Sequence, residues 1–510
     1  MENLRQKLKI FNYRPLVLIF LGLIFGVLVK NFIKPQTALI VIAIVLAVSV
    51  LVLYSILHKK FKYFIILGLT FIIGFGIYSH YINSRTHTAP KMVDKTAVGV
   101  VDSITTYDDC LSIILKDVSV NDEKLDYNIR LYYNNTKQSG YIKLELGSKI
   151  SFNIDEQGEV DRFDEDGIPH TSNYKNNIGA EFETDEITLL STKTSVKMKL
   201  LNRIRDNLRL GLNNQNGNMI YSAMFGDKSE LNHDLYDAYK MSGVAHLLAV
   251  SGLHVGLVVA VLNFIMKKLR VKGWWRVGII SVLLVGYAYL CGFSYSIMRA
   301  SIMILVLMIA PLLFSEYDTL SSICFAGSLI LLIEPIALFD LGALLSFGCV
   351  LGIAMLFPVY QRRTSKIPIK QGIKDAFGIS LATIITTLAV MAYFFGYVQL
   401  IGLISNIIII PIFSVLFSLT FVLAMLSLIL PFVSFALILI NPLFEWLNWA
   451  IIFIANHSKE ILLPNINYLS VLLFFILIVF ASKFNLKKGL NKLSMVGACS
   501  FMLSLQMALI

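Results

Sequence analysis

Cysteine is scarce in this chain, with five residues in 510. Only Cys110 falls in the polar stretch between positions 80 and 194, so no internal disulfide can staple that stretch, and no two cysteines have zinc-ligand spacing. Histidine is nearly as rare: eight residues, with no H-E-x-x-H or H-x-H-x-D-H cluster among them, so neither a metal site nor a cofactor is expected. Charge is thin as well. Charged residues make up 15% of the chain against 56% hydrophobic, and the mean hydropathy is +0.71, which excludes a soluble globular protein. No small-residue cleavage site follows the first apolar run, and a second begins within a few residues, so that run reads as a retained anchor rather than a signal peptide.

What is present is a series of apolar runs of membrane-spanning length. They fall at about 15–33, 37–57, 61–79, 247–266, 276–292, 297–314, 319–338, 341–358, 376–396, 399–430, 433–456, 466–481 and 494–510, giving ten to thirteen crossings. The run at 399–430 is long enough for a hairpin or for a span plus a re-entrant piece. Between Tyr397 and Tyr468, full spans and half helices both remain open.

The gap between the third and fourth spans has another character. From 80 to 194, short alternating pieces such as "YNIRLYY" and "KISFNI" are separated by polar turns, which predicts a small β barrel or sandwich. This stretch holds 20 acidic and 12 basic residues, a balance of −8; the rest of the chain has 13 acidic and 32 basic residues, a balance of +19. Basic loops stay in the cytoplasm. Arg5, Lys7, Lys9 and Arg14 before the first span, and Lys59, Lys60 and Lys62 before the third, put the amino terminus inside and the acidic β domain outside. The expected organisation is three transmembrane helices over 1–79, an extracytoplasmic β domain over 80–194, amphipathic interfacial helices over 195–242 and a transmembrane domain over 243–510.

The segment "KTSVKMKLLNRIRDNLRLGL" reads as a basic amphipathic helix. Leu200, Leu201, Ile204 and Leu208 share one face, while Lys197, Lys199, Arg203, Arg205 and Arg209 supply charge. It is expected either to lie among anionic lipid headgroups or to form a cationic lip that gathers phosphates.

Polar groups inside the apolar runs are the functional candidates. "HLLAVSGLHVGL" carries His246, Ser251 and His254, with Gly252 and Gly256 spaced for close helix packing. "CGFSYSIMRASIM" places Arg299 inside an apolar run, one turn after Ser294, and a guanidinium there must meet an anion, carbonyls or water. Asp340 and Glu334 are candidate ion-pair partners for it. Asn406 and Pro411 mark a helix whose backbone opens towards a cavity. Together these groups read as the lining of a polar route.

The ordered run "GDKSELNHDLYDAYKMSGVAHLLAVSGLHVGL", "FSYSIMRASIM", "EPIALFDLGALLSFGCVLGIAML" and "SNIIIIPIF" resembles the ComEC/Rec2 family of competence proteins. The stretch ending "RFDEDGIPHTSNYKNNIGAEF" is similar in position to that family's OB-like domain. The resemblance implies a polytopic α-helical protein of the bacterial cytoplasmic membrane with an extracytoplasmic OB-like barrel. It also implies a channel importing single-stranded DNA during natural transformation. The implied partners are membrane lipids, an extracellular DNA receptor protein, and a cytoplasmic ATPase or single-strand binding proteins. Many members carry a metallo-β-lactamase-like domain; this sequence stops at Ile510 without it, as a short member or a truncated one, so no nuclease activity is expected here and a separate nuclease is a further possible partner. Two other classes stay open on the residues alone. One is a secondary transporter of a small anion, although no inverted repeat is visible; the other is an intramembrane serine hydrolase built on Ser251.

Overall fold

A computed structural model describes residues 14–32 and 61–481, apart from short stretches at 88, 107–109, 122, 134–145, 165–166, 193–195 and 464–465. The runs expected to span at 37–57 and 494–510 lie outside the described residues, as do the basic groups before Arg14 and after Ala481.

Helices α1 (Pro15–Phe32) and α2 (Phe61–Arg85) pack against each other and lead into the β domain. Its strands are β1 (Thr96–Thr106), β2 (Leu111–Val120), β3 (Glu123–Lys124), β4 (Asn128–Tyr133), β5 (Ser148–Asn153), β6 (Glu156–Gly158), β7 (Ile178–Thr184) and β8 (Ile187–Thr192), with the short helix α3 (Thr171–Lys175) before β7. The alternation seen in the sequence places one face inside. In β4, Ile129, Leu131 and Tyr133 are buried while their neighbours are half-buried, and they meet Ile113, Leu115, Ile150, Phe152 and Phe182 in one core. Each such side chain taken out of water contributes about 1.5–3 kcal/mol. The strand order is β6-β7-β4-β2-β1-β5-β8, with β3 on β2 and a parallel β4–β7 pair. Among the described residues the terminal strands β6 and β8 do not pair. Where the resemblance implies an OB-like barrel, the described strands thus form an open sheet rather than a closed one.

The segment 162–176 fastens this domain to the helices. Arg162 donates to the carbonyls of Arg85 and His87, both at 3.0 Å; Asn31 Nδ2 donates to Gly167 O at 3.0 Å; and Tyr393 OH donates to Asp164 at 2.9 Å. Ile168 and Tyr174 are buried with Val27, Tyr78, Ile336, Phe339 and Tyr468.

Next come α4 (Val196–Gly211), α5 (Asn214–Phe225) and α6 (His233–Met241). They are followed by α7 (Gly252–Lys268), α8 (Gly273–Leu290), α9 (Tyr295–Ile309), α10 (Thr319–Ile333), α11 (Leu341–Met355), α12 (Phe357–Thr364), α13 (Gln371–Phe395), α14 (Gly402–Ser427), α15 (Asn441–Asn456) and α16 (Tyr468–Ala481). Among the described residues seven helical segments are long and apolar enough to cross a membrane, or eight if the pair Pro431–Leu439 and Asn441–Asn456, bent by 47°, is one span. The run at 399–430 is one continuous helix, α14, rather than a hairpin, and it accommodates Pro411 internally. The run at 247–266 is interrupted: a 3-10 turn at Ala245–Leu248 precedes α7, whose 17 residues end on Lys267 and Lys268, and α7 is not among the seven.

The amphipathic α4 packs its apolar stripe on protein. Met198, Leu201, Ile204 and Leu208 are buried against α5, α14 and the turn at Pro431–Leu439, because those elements offer a matching apolar surface.

Candidate functional site

Gly243 ends the segment after α6 with φ +77°, and a Cβ there would stand 2.7 Å from Gly402 Cα. Two glycines thus let the turn before α7 approach the start of α14. Ser251, in extended backbone, then caps α7: its Oγ accepts from His254 N at 3.3 Å. This leaves the first turn of α7, with its free N–H groups and positive dipole end, beside α9.

Arg299 stands at that point. Its side chain is buried, and Nη2 lies 2.7 Å from where a Cβ on Gly252 would sit. Its guanidinium is 6.0 Å from the Phe347 ring, and its Nε has no hydrogen-bond partner. The expected carboxylate partners are engaged elsewhere. Glu334 accepts from Tyr295 OH at 2.6 Å, and Asp340 accepts from Ala343 N at 2.8 Å, capping α11. Asp340 is held in that geometry by the helix start it caps, which is why the ion-pair expectation does not hold among the described residues.

The two histidines part company. His246, in the 3-10 turn, is exposed, whereas His254 is 1% exposed and stacks on Phe417 with centroids 4.1 Å apart, with Phe413 at 5.7 Å. Neither ring nitrogen of His254 has a partner. A buried donor or acceptor left unmatched costs about 1–3 kcal/mol. Ser251 Oγ meets a backbone N–H rather than an imidazole, so the nucleophile-and-base contact of a serine hydrolase is not formed. Ser294 precedes α9, with its Oγ buried and unpartnered. Asn406 Nδ2 donates to Ser380 Oγ at 3.2 Å across the α13–α14 contact, while its Oδ1 has no partner. Pro411, one turn further on, withdraws the N–H that would otherwise bond Ile407 O.

The structure therefore joins Ser251, Gly252 and Arg299, turns His254 towards α14, and leaves Asn406 at a separate joint. Gly252 has the close packing read from the sequence. Gly256 does not: nothing lies within 4 Å of a Cβ built there. Phe413 and Phe417, which enclose His254, were missed by sequence reasoning. Their i, i+4 spacing in "PIFSVLF" is the only signal. Also missed was the buried chain Tyr239–Asn448–Asn216–Asn441, with contacts of 2.9, 2.8 and 2.8 Å, which binds α5, α6 and α15 together.

On α4 the expected cationic face is partly neutralised. Arg205 pairs with Asp227 and Glu230, both at 2.8 Å, and packs on Tyr221; Arg209 pairs with Glu230 and Asn218. Lys197 sits over Tyr289, and Lys199 and Arg203 remain exposed. Among the described residues no group of three His, Cys, Asp or Glu side chains could hold a metal ion.

The competence protein family model matches residues 223–487, more than half of the chain, a range that includes His246, Ser251, His254, Ser294, Arg299 and Asn406. The chain belongs to the competence protein family. Within curated competence-related proteins it is 26% identical over 196 residues to ComE operon protein 3 of Bacillus subtilis, covering 38% of this chain and 24% of that protein. It is 22% identical over 244 residues to Recombination protein 2 of Haemophilus influenzae, covering 45% and 29%. Competence protein ComA of Neisseria gonorrhoeae is 27% identical over 201 residues, covering 37% and 27%. The matches thus span under a third of the length of these relatives. No solved structure matches the chain.

Proposed function

We propose that this competence-family chain forms a passage for single-stranded DNA across the bacterial cytoplasmic membrane during natural transformation. The observation that carries the reading is Arg299, buried without a carboxylate partner against Gly252 at the capped start of α7. A guanidinium at membrane depth costs at least about 2.5 kcal/mol on insertion scales, so its retention calls for an anion that visits. A phosphate group meets that demand. The forked guanidinium offers two parallel donors, and the dipole end of α7 adds to the same field.

On this reading Ser251, Arg299 and Ser294 form the central contact, and His246, His254 and Asn406 supply further polar steps. Several weak sites serve a polyanion better than one tight site, because each phosphate must also leave. The amino terminus is cytoplasmic, and the acidic β domain faces outwards beside an extracellular DNA receptor protein. Lys199 and Arg203, exposed on α4, meet phosphates of DNA or of lipid. A cytoplasmic ATPase or single-strand binding proteins draw the strand in, and a separate nuclease removes its complement.

The test is uptake of labelled DNA by a deletion strain expressing the parent, Arg299→Met or Arg299→Lys at equal membrane levels. Uptake should be lost in Arg299→Met and reduced in Arg299→Lys, which keeps charge but not the fork. Parental uptake by Arg299→Met overturns the reading.

A further inference from the structure

The β domain contains a cleft of about 410 Å³ that the membrane passage does not use. It lies between the outer surface of β4 and β7 and the segment that leads into α3. Arg130 and Glu181 form its floor, paired at 2.7 Å with side chains 15% and 16% exposed. Ser172 and Asn173 on α3, Asp161 and the Tyr132 ring complete the wall. The volume is in the range of small-molecule sites, about 300–1,000 Å³.

Its chemistry selects the occupant. Arg130, the one basic side chain besides His170, is held by Glu181, with its other nitrogen 3.4 Å from Ser172 Oγ. With Asp161 and Glu181 both in the lining, the cleft has no cationic surplus, and the surrounding stretch from 80 to 194 carries −8. A phosphate backbone is therefore repelled. What the cleft does offer is closely spaced hydrogen-bonding groups of both kinds: serine and threonine hydroxyls that donate and accept, and a carboxylate beside a guanidinium, with the Asn173 amide behind them already donating to Asp161 O at 2.6 Å. Vicinal hydroxyls, each a donor and an acceptor, match that alternation.

We propose that this cleft binds a neutral polyhydroxylated ring, a sugar either free or as one unit of a glycan. The inference is independent of the DNA reading. A ligand seated against Ser172 and Asn173 would touch the same short helix whose last residue, Lys175, lies over Tyr295 at the start of α9, 4.6 Å from the ring centroid. Occupancy would thus be felt where the β domain meets the membrane helices.

The experiment uses the full chain in lipid nanodiscs and saturation-transfer NMR with glucose, N-acetylglucosamine and an N-acetylglucosamine tetramer, alongside a single-stranded oligothymidylate. Transfer to at least one sugar is expected, and a preference for the tetramer over both monomers assigns the site to a glycan unit, the reverse to a free sugar. Ser172→Trp places a large ring over the cleft from an exposed position and should abolish the transfer. Glu181→Gln, which keeps side-chain volume, should weaken binding at least about fivefold, the loss of one charge-assisted hydrogen bond. Both variants are read only at parental elution and melting temperature, and either one alone suffices. The proposal is overturned if no sugar shows transfer in the parent, if transfer survives both substitutions, or if oligothymidylate competes for the cleft.

Discussion

Arg299 Nη2 lies 2.7 Å from the point that a Cβ on Gly252 would occupy, and Ala300 Cβ lies 3.1 Å from it. The first residue of α7 and the guanidinium of α9 therefore share one space, which stays open only while residue 252 lacks a side chain. Gly252→Ala should push the guanidinium away from the α7 N-terminus and cost about 1–3 kcal/mol through overpacking. The expected result is membrane accumulation near parental level with DNA uptake reduced several-fold. Parental uptake with Ala at 252 would remove this contact from the passage.

The His254 imidazole offers a test with opposite signs for stability and function. Its two nitrogens are buried without partners against Phe417 and Phe413. His254→Leu keeps an apolar volume there and removes that mismatch, so the melting temperature should hold or rise, by up to about 1–3 kcal/mol of stability. Uptake should nevertheless fall if the ring serves a passing strand. A variant that is clearly less stable would instead mean the imidazole has a polar neighbour that the described residues do not supply.

Much of this was legible because polar residues stand out in an apolar background. Arg299, Ser251 and Gly252 were singled out by type and position alone, and the structure brings them together. The enclosing aromatics were not legible, since Phe413 and Phe417 look like any other apolar positions of a span until α14 is placed beside α7. The length of α14 was misjudged for a related reason. The run 399–430 has no charged residue to mark its turns, and Pro411 looks like a break where surrounding helices tolerate it within one continuous element. For α4 the apolar stripe was readable but its partner was not. Amphipathicity says that a face is covered and leaves open whether lipid or protein covers it. Likewise Arg205 and Arg209 looked free because Asp227 and Glu230, which neutralise them, lie beyond α5 in sequence.

Orientation is checked through Cys110, which is half-buried on the β domain. With Cys291, Cys324, Cys349 and Cys499 replaced by alanine, a membrane-impermeant maleimide should modify Cys110 in intact cells. Labelling only after lysis would put the acidic domain in the cytoplasm and reverse every orientation argued from the basic loops.

The tie between α1 and α10 gives a pH prediction. Arg14 Nε and Nη2 each donate to Asp318 at 2.8 Å, and Asp318 also caps α10 by accepting from Ser321 N at 2.9 Å. Burial alone would push the Asp318 carboxyl up, but the hydrogen bonds from Arg14 and Ser321 outweigh it and hold the group at about 2, below the ordinary 3.8. A carboxyl depressed in the folded state stabilises the fold fully above its unfolded value, and that contribution is lost as pH falls from about 3.8 towards 2. Because the Asp318 side chain is 38% exposed, solvent screens the pair, and the contribution should stay under about 1 kcal/mol. Asp318→Asn keeps a capping oxygen while removing the charge. Thermal melts of parent and variant in detergent should therefore differ by about a degree at about pH 6 and converge only below about pH 2, once the parent's carboxyl is itself largely protonated. A gap that persists unchanged at the acid end would show that the substitution acts through α10 packing rather than through the charge shared with Arg14.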